Sequence, residues 1–186
     1  TGMIGADYVV RAAPDGYTLL YMPGSGLALR KFISINPVPD ILKDLTPVAS
    51  TMELVNSIVV SAALPVASMR ELVEFTKKNP GKLNYGSAGI ASTQHLTGEV
   101  LGQQGVNMVN VPFNGLQPAL AALLAGHIQV GIFDLATTRG QVKEGKLKLL
   151  AITPAKRYSG APQVPTVSET LPGFEMPDFW MGYFGP

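Results

Sequence analysis

The stretch at residues 83–99, LNYGSAGIASTQHLTGE, starts like a strand and ends like a helix, and its junction is built from Gly86, Ser87, Ala88, Gly89, Ala91, Ser92 and Thr93, residues with almost no side chain. Such a junction is either a tight turn packed for space or a cradle whose unpaired backbone N–H groups face an anion. Gly86 and Gly89 permit close backbone approach and positive φ, and Ser87, Ser92 and Thr93 supply hydroxyl groups. The helix that follows, from about Ser92 to Gln103, points its positive end at the same place. A carboxylate fits such a site without any arginine.

Working outward, residues 68–153 switch regularly between helical and strand periodicity. Ser68 and Glu71 form a capping box ahead of Met69, Leu72, Val73 and Phe75, and NPG at 79–81 stops that helix. A strand at Leu83 to Gly86 precedes the junction. NMVNV at 107–111 reads as a strand, Pro118 opens a helix, and Gly126 closes it. IQVGIFD is a strand, 136–144 a weaker helix and LKLLAIT a strand. Alternation of this kind predicts an α/β fold with right-handed crossovers and a parallel sheet covered on both faces. Its ligands belong outside the C-terminal ends of the strands, where chain order reverses.

The first 62 residues are less regular: a helix end at about 5–13, the turn PDG, the strand YTLLYM, a short helix and irregular loop within 27–43, and strands near 46–51 and 56–61. The organisation expected is a partial first lobe over 1–62, a second α/β lobe over 63–155, a connecting segment over 156–178, and a return strand over 179–186. The chain opens on TGMIGADYVV and closes on the strand-like FWMGYFGP, which suggests a processed product or a fragment.

Composition narrows the function. A net charge of +1 with 15% charged residues gives no basic field for nucleic acid. With no cysteine there is no thiolate nucleophile or metal ligand. No apolar run reaches the roughly 18 residues of a membrane span. YGSAG lacks the first glycine of a nucleophile elbow, so Ser87 with His95 is a poor hydrolase pair. GQVKEGKL lacks the magnesium-binding hydroxyl of a P-loop and precedes a strand. His95 and His127 have no carboxylate at ligand spacing, so no metal or cofactor is expected, and Met22, Met52, Met69 and Met108 read as core filler. The second junction, VPFNG at 111–115, also leads into a helix and brings Asn114 to the same sheet edge. Asp134 ends the next strand, where its carboxylate either pairs with a ligand amine or caps the following helix.

Taken in order, AAPDGYTLL, PGKLNYGSAG with STQHLTGE, VPFNG with PALAALLAGHIQV, GKLKLLAIT, VPTVSE and PGFE followed by Trp180 resemble the substrate-binding receptors of tripartite tricarboxylate transporters, the Bug receptors. The resemblance implies a type II periplasmic binding protein fold, two lobes joined by crossover strands, with the first lobe incomplete because the family's N-terminal strand and C-terminal helical region have no counterpart here. It implies a periplasmic, non-enzymatic receptor for a small organic acid (a dicarboxylate, aromatic acid or acidic amino acid) serving membrane transporter subunits. By position, the ligand carboxylate would meet Ser87, Ala88, Gly89, Ile90, Ala91 and Thr93, with Gly24 and Ser25 contributed by the first lobe. Phe133 and Asp134 match a usual family pair, with Leu135 where Asn is common. A lobe missing a strand also leaves open edges that favour self-association. Two other classes fit an α/β chain of this kind: an effector-binding domain of a regulator, and a small-molecule enzyme.

Overall fold

The computed structural model describes residues 3–24 and 41–186. Two compact units are present, one formed by Thr1–Leu54 with Phe179–Pro186 and the other by Val55–Asp178, so the chain passes between them twice. Among the described residues the smaller unit contains helix α1 (Met3–Val10), strand β1 (Leu20–Pro23), a single helical turn α2 (Ile41–Asp44), strand β2 (Thr46–Leu54) and strand β8 (Phe179–Gly185). Its sheet has the order β1-β8-β2, with β8 antiparallel to both neighbours. Alternation along these strands sends Leu20, Met22 and Phe184 to one side, where they pack with Ala6 and Val9 of α1 and with Leu45. Tyr21 and Tyr183 lie on the other side with ring centroids 4.7 Å apart. Met52 is 49% exposed there, so it is not the core filler its residue type suggested, whereas Met22 and Met69 are buried.

The larger unit carries β3 (Asn56–Ser61), α3 (Met69–Lys78), β4 (Asn84–Ser87), α4 (Thr93–Gln103), β5 (Val109–Pro112), α5 (Leu116–Leu124), β6 (Val130–Asp134), α6 (Leu135–Lys143) and β7 (Leu147–Ile152). The predicted capping box opens α3: Ser68 Oγ accepts the Glu71 N–H, and Glu71 accepts the Ala67 N–H. Strand order is β5-β4-β6-β3-β7. β4 runs parallel to β5 and to β6, as predicted, but β3 lies antiparallel between β6 and β7. The sheet is therefore mixed, and β3, expected within the first-lobe segment 1–62, is bonded on both edges inside this unit. The change of unit comes at Leu54 and Val55. Residues 56–60 are buried on both faces, which suits a central strand better than the edge of a small sheet.

Side-chain alternation divides the core in two. Ile58, Val60, Tyr85, Val130 and Ile132 meet α3 and α4 through Met69, Leu72 and Leu101. Val59 and Phe133 meet α5 through Ala119, Leu120 and Leu123. Gly86 and Gly131 stand opposite one another in the β4–β6 register, and a Cβ on Gly131 would come within 2.3 Å of the Phe133 ring and 2.7 Å of Leu123.

Past β7 the chain is tied back by a side-chain clasp. Arg157 Nε and Nη2 donate to the two carboxylate oxygens of Glu169 at 2.8 and 2.6 Å, and Nη1 donates to the Pro162 carbonyl. Glu169 also accepts the Thr166 N–H. The Arg157 hydrogen bonds, then that of Thr166, hold the Glu169 carboxyl down at about 2. A depressed carboxyl stabilises the fold at pH values above its unfolded-state value, and that contribution fades as pH falls from there through about 2.

Two outcomes are expected. Gly131→Ala should lower stability by about 1–3 kcal/mol in urea denaturation, because Phe133 and Leu123 are locked in the core. Arg157→Gln should return the Glu169 titration, followed by carboxyl NMR, toward the ordinary carboxylate range and start acid unfolding at higher pH.

Candidate functional site

At β4 the chain order reverses: β4 leads through α4 to β5 on one side, and β5 leads through α5 to β6 on the other. The two helices accordingly cover opposite faces of the sheet. A crevice outside the C-terminal end of β4 is where an open α/β sheet places its ligand. That end is Ser87, and the small-residue junction grows directly from it.

The junction is strained and orderly. Gly89 has φ 111°, and Ala91 has φ 60°, the one non-glycine residue with positive φ among the described residues. Two contacts hold Ala91 there: its N–H donates to His95 Nδ1 at 3.3 Å, and the next residue's N–H, Ser92, donates to the Gly89 carbonyl at 3.2 Å. Because Nδ1 accepts, a neutral His95 carries its proton on Nε2, which faces Glu99 Oε1 at 3.8 Å. Beneath them the Tyr85 hydroxyl lies within reach of both the His95 carbonyl (3.3 Å) and Glu99 Oε1 (3.4 Å). Burial first, and then the Glu99 carboxylate, push the Tyr85 phenol far above its usual range, so it remains a neutral donor.

Ser92 caps α4 by accepting the His95 N–H. After these bonds are assigned, the N–H groups of Ala88, Gly89, Ile90, Thr93 and Gln94 have no partner among the described residues. They lie in one turn of chain at a helix start whose macrodipole favours negative charge. Ala88, Gly89 and Thr93 are half-buried, and Ile90 is 68% exposed. Ser87 is fully buried, its hydroxyl donating to the Gly89 carbonyl at 3.4 Å, so it braces the loop. It makes no bond to His95, and the hydrolase pair is not assembled.

The second junction is joined to the first by the Phe113 N–H, which donates to the Ser87 carbonyl at 2.9 Å. Its α5 start is also open: Gly115 stands at the cap position with φ 113° and makes no side-chain cap, and Asn114 is exposed. Asp134 takes the capping role, Oδ1 accepting the Ala136 N–H at 2.9 Å. Phe133, expected at the ligand, is fully buried in the core, where its ring fills the space above Gly131. Gly24 lies in the smaller unit beneath the Trp180 ring, 2.4 Å from where a Cβ would stand, and Ser25 lies outside the described residues. Sequence reasoning passed over Asn56, a 2% exposed residue at the head of β3 whose Nδ2 has no partner. Its signal was a lone amide opening an apolar strand.

His95 does have a carboxylate one helical turn on, Glu99, contrary to the expectation from sequence; among the described residues no group of three or more His, Asp or Glu side chains could hold a metal, and no helix is long and apolar enough to cross a membrane.

Two α/β units linked by two passages of the chain are the type II periplasmic binding protein-like architecture, here with an incomplete first lobe, and comparison with solved structures agrees. A structure of BugD superposes with TM-score 0.88 at 32% identity, covering 100% of this chain and 62% of that one. An R. palustris protein solved with adipate gives TM-score 0.92 at 30% identity over 100% of this chain and 62% of that chain. MatC from Rhodopseudomonas palustris with bound malate gives 0.86 at 30% identity over 100% and 63%. The profile of the tripartite tricarboxylate transporter family receptor matches residues 1–186, and the chain belongs to that family. Curated relatives include the UPF0065 protein in the tcbD-tcbE intergenic region of a Pseudomonas sp., 32% identical over 100% of this chain and 55% of its own length. Protein BugT of Bordetella pertussis is 30% identical over 90% of this chain and 52% of its own length. The chain thus spans about half the length of the curated relatives it matches.

Ala91→Val should destabilise by about 1–2 kcal/mol, since a β-branched side chain resists the left-handed region, while Ala91→Gly should be tolerated. Urea denaturation of the two variants checks this.

Proposed function

We propose that this protein is an extracytoplasmic, periplasmic solute receptor that captures a small carboxylate for a membrane transporter, and that the larger unit holds the carboxylate on the start of α4. The observation that carries the reading is the set of unpartnered N–H groups at Ala88, Gly89, Ile90, Thr93 and Gln94, located where the order of strands reverses. These donors are fixed by the Ala91 and His95 contact before any ligand arrives, so binding requires little reorganisation. Neutral donors and a helix dipole suit a single carboxylate group without a lysine or arginine. The adipate and malate bound by two structural neighbours are acids of this kind. Binding and release without covalent chemistry accords with the Ser87 hydroxyl being spent on the loop.

Thr93 supplies the sharpest test because it is the first residue of α4, a position where proline is accepted. Ser92 already has an extended backbone (φ −66°, ψ 160°), the conformation that a following proline requires. Thr93→Pro should therefore leave thermal stability nearly unchanged while weakening carboxylate binding by about tenfold, since it deletes one charge-assisted donor. Amide NMR on the wild type should show carboxylate-induced shifts centred on residues 88–94. Shifts elsewhere with none in this loop would overturn the reading.

A further inference from the structure

We propose that Asn56 and Asp134 form a second ligand-reading pair beside the N–H cradle, selecting acids that carry a hydroxyl group. The inference rests on the carboxylate reading above and extends it to the rest of the ligand.

Asn56 is held firmly by its backbone: its carbonyl accepts both the Thr153 N–H (2.9 Å) and the Thr153 hydroxyl (3.4 Å). Its side-chain Nδ2 is buried and unpartnered. Leaving a buried donor unpaired is costly, so a folded chain keeps one where something else completes it.

The β3–β6 register sets Asn56 directly opposite Asp134. Residues so paired share one face of the sheet, with Cβ atoms about 4.5–5.5 Å apart. The same side of β3 carries Ile58, which packs with Tyr85 beneath α4. Ser87, two residues beyond Tyr85, starts the cradle from that face. The pair and the cradle therefore stand at one corner of the sheet, on the side that α4 covers.

Asp134 commits only Oδ1, to the Ala136 N–H, and Oδ2 has no partner among the described residues. A donor lacking an acceptor thus stands beside an acceptor lacking a donor. An ammonium group donates only and would leave Asn56 unpaired. A second carboxylate accepts only and would meet the charge of Asp134. A hydroxyl does both: it accepts from Nδ2 and donates to Oδ2. The complementary ligand is a hydroxy acid, with its carboxylate on the N–H groups of residues 88–94 and its hydroxyl between Asn56 and Asp134.

Calorimetric titration of the protein with succinate, malate and aspartate tests this, because the three share a carbon skeleton and differ at one substituent. Malate should bind about tenfold more tightly than either of the others. Asn56→Leu, of similar volume, should bring the malate-to-succinate ratio near one while the ligand-free Tm holds or rises, since it removes an unpaired buried donor. Asp134→Asn retains a helix-capping side chain and should also reduce that ratio. Equal binding of malate and succinate by the wild type, tighter binding of aspartate than of malate, or a malate preference that survives Asn56→Leu would overturn the inference while leaving the carboxylate site standing. A fall in ligand-free Tm for Asn56→Leu with malate preference intact would assign Nδ2 to a buried structural water, which overturns it too. If no carboxylate binds the wild type, the receptor reading falls and this inference falls with it.

Discussion

The larger unit depends on the absence of two side chains. Gly86 and Gly131 face each other across β4 and β6, and the volume that their Cβ atoms would occupy is taken by Ile128 and Ala119 at Gly86 and by Phe133 and Leu123 at Gly131. Close packing at that point brings α5 down onto the sheet and seals the face below the ligand corner. A core at crystalline density has no spare room there, so the crevice must open at the strand ends. Above Gly86 the chain leaves the sheet through Ser87, and the open N–H groups of residues 88–94 follow within a few residues.

The junction then holds a strained backbone in place. An L-residue at φ 60° is unfavourable by about 1–2 kcal/mol, yet Ala91 adopts it. Its N–H is fixed by His95 Nδ1, and His95 is held by its place on α4 above Tyr85 and Glu99. Beside it the N–H groups of Ala88, Gly89, Ile90, Thr93 and Gln94 stay unpaired among the described residues, as the first N–H groups of a helix do. Strain in the loop is thus offset by packing and hydrogen bonds in the helix behind it, an arrangement expected of a preorganised site.

Much of the architecture was legible from residue order. The capping box at Ser68, the closing glycine at Gly126 and the alternating periods placed the helices and strands of the larger unit within a few residues. The small-residue junction was legible as an open helix start because its features, a cap residue and little side-chain bulk, are local. The family motifs were likewise readable as strings, although each piece alone is short.

By itself, then, the sequence determined the elements, the α/β class and the place of the small-residue junction, which follow from short-range periodicity and local backbone chemistry, and its motif strings carried the family. Tertiary structure decided what depends on strands far apart in the chain. Pairing of β3 with β6 and β7 moved residues 56–61 into the larger unit, and no local pattern encodes a partner some seventy to ninety residues away. The same pairing buried Asn56 opposite Asp134, while alternation across β6 turned Phe133 into the core and left Asp134 at the rim. Residue type announces that a side chain can bind; only the register of the sheet determines which face it is on and what it meets.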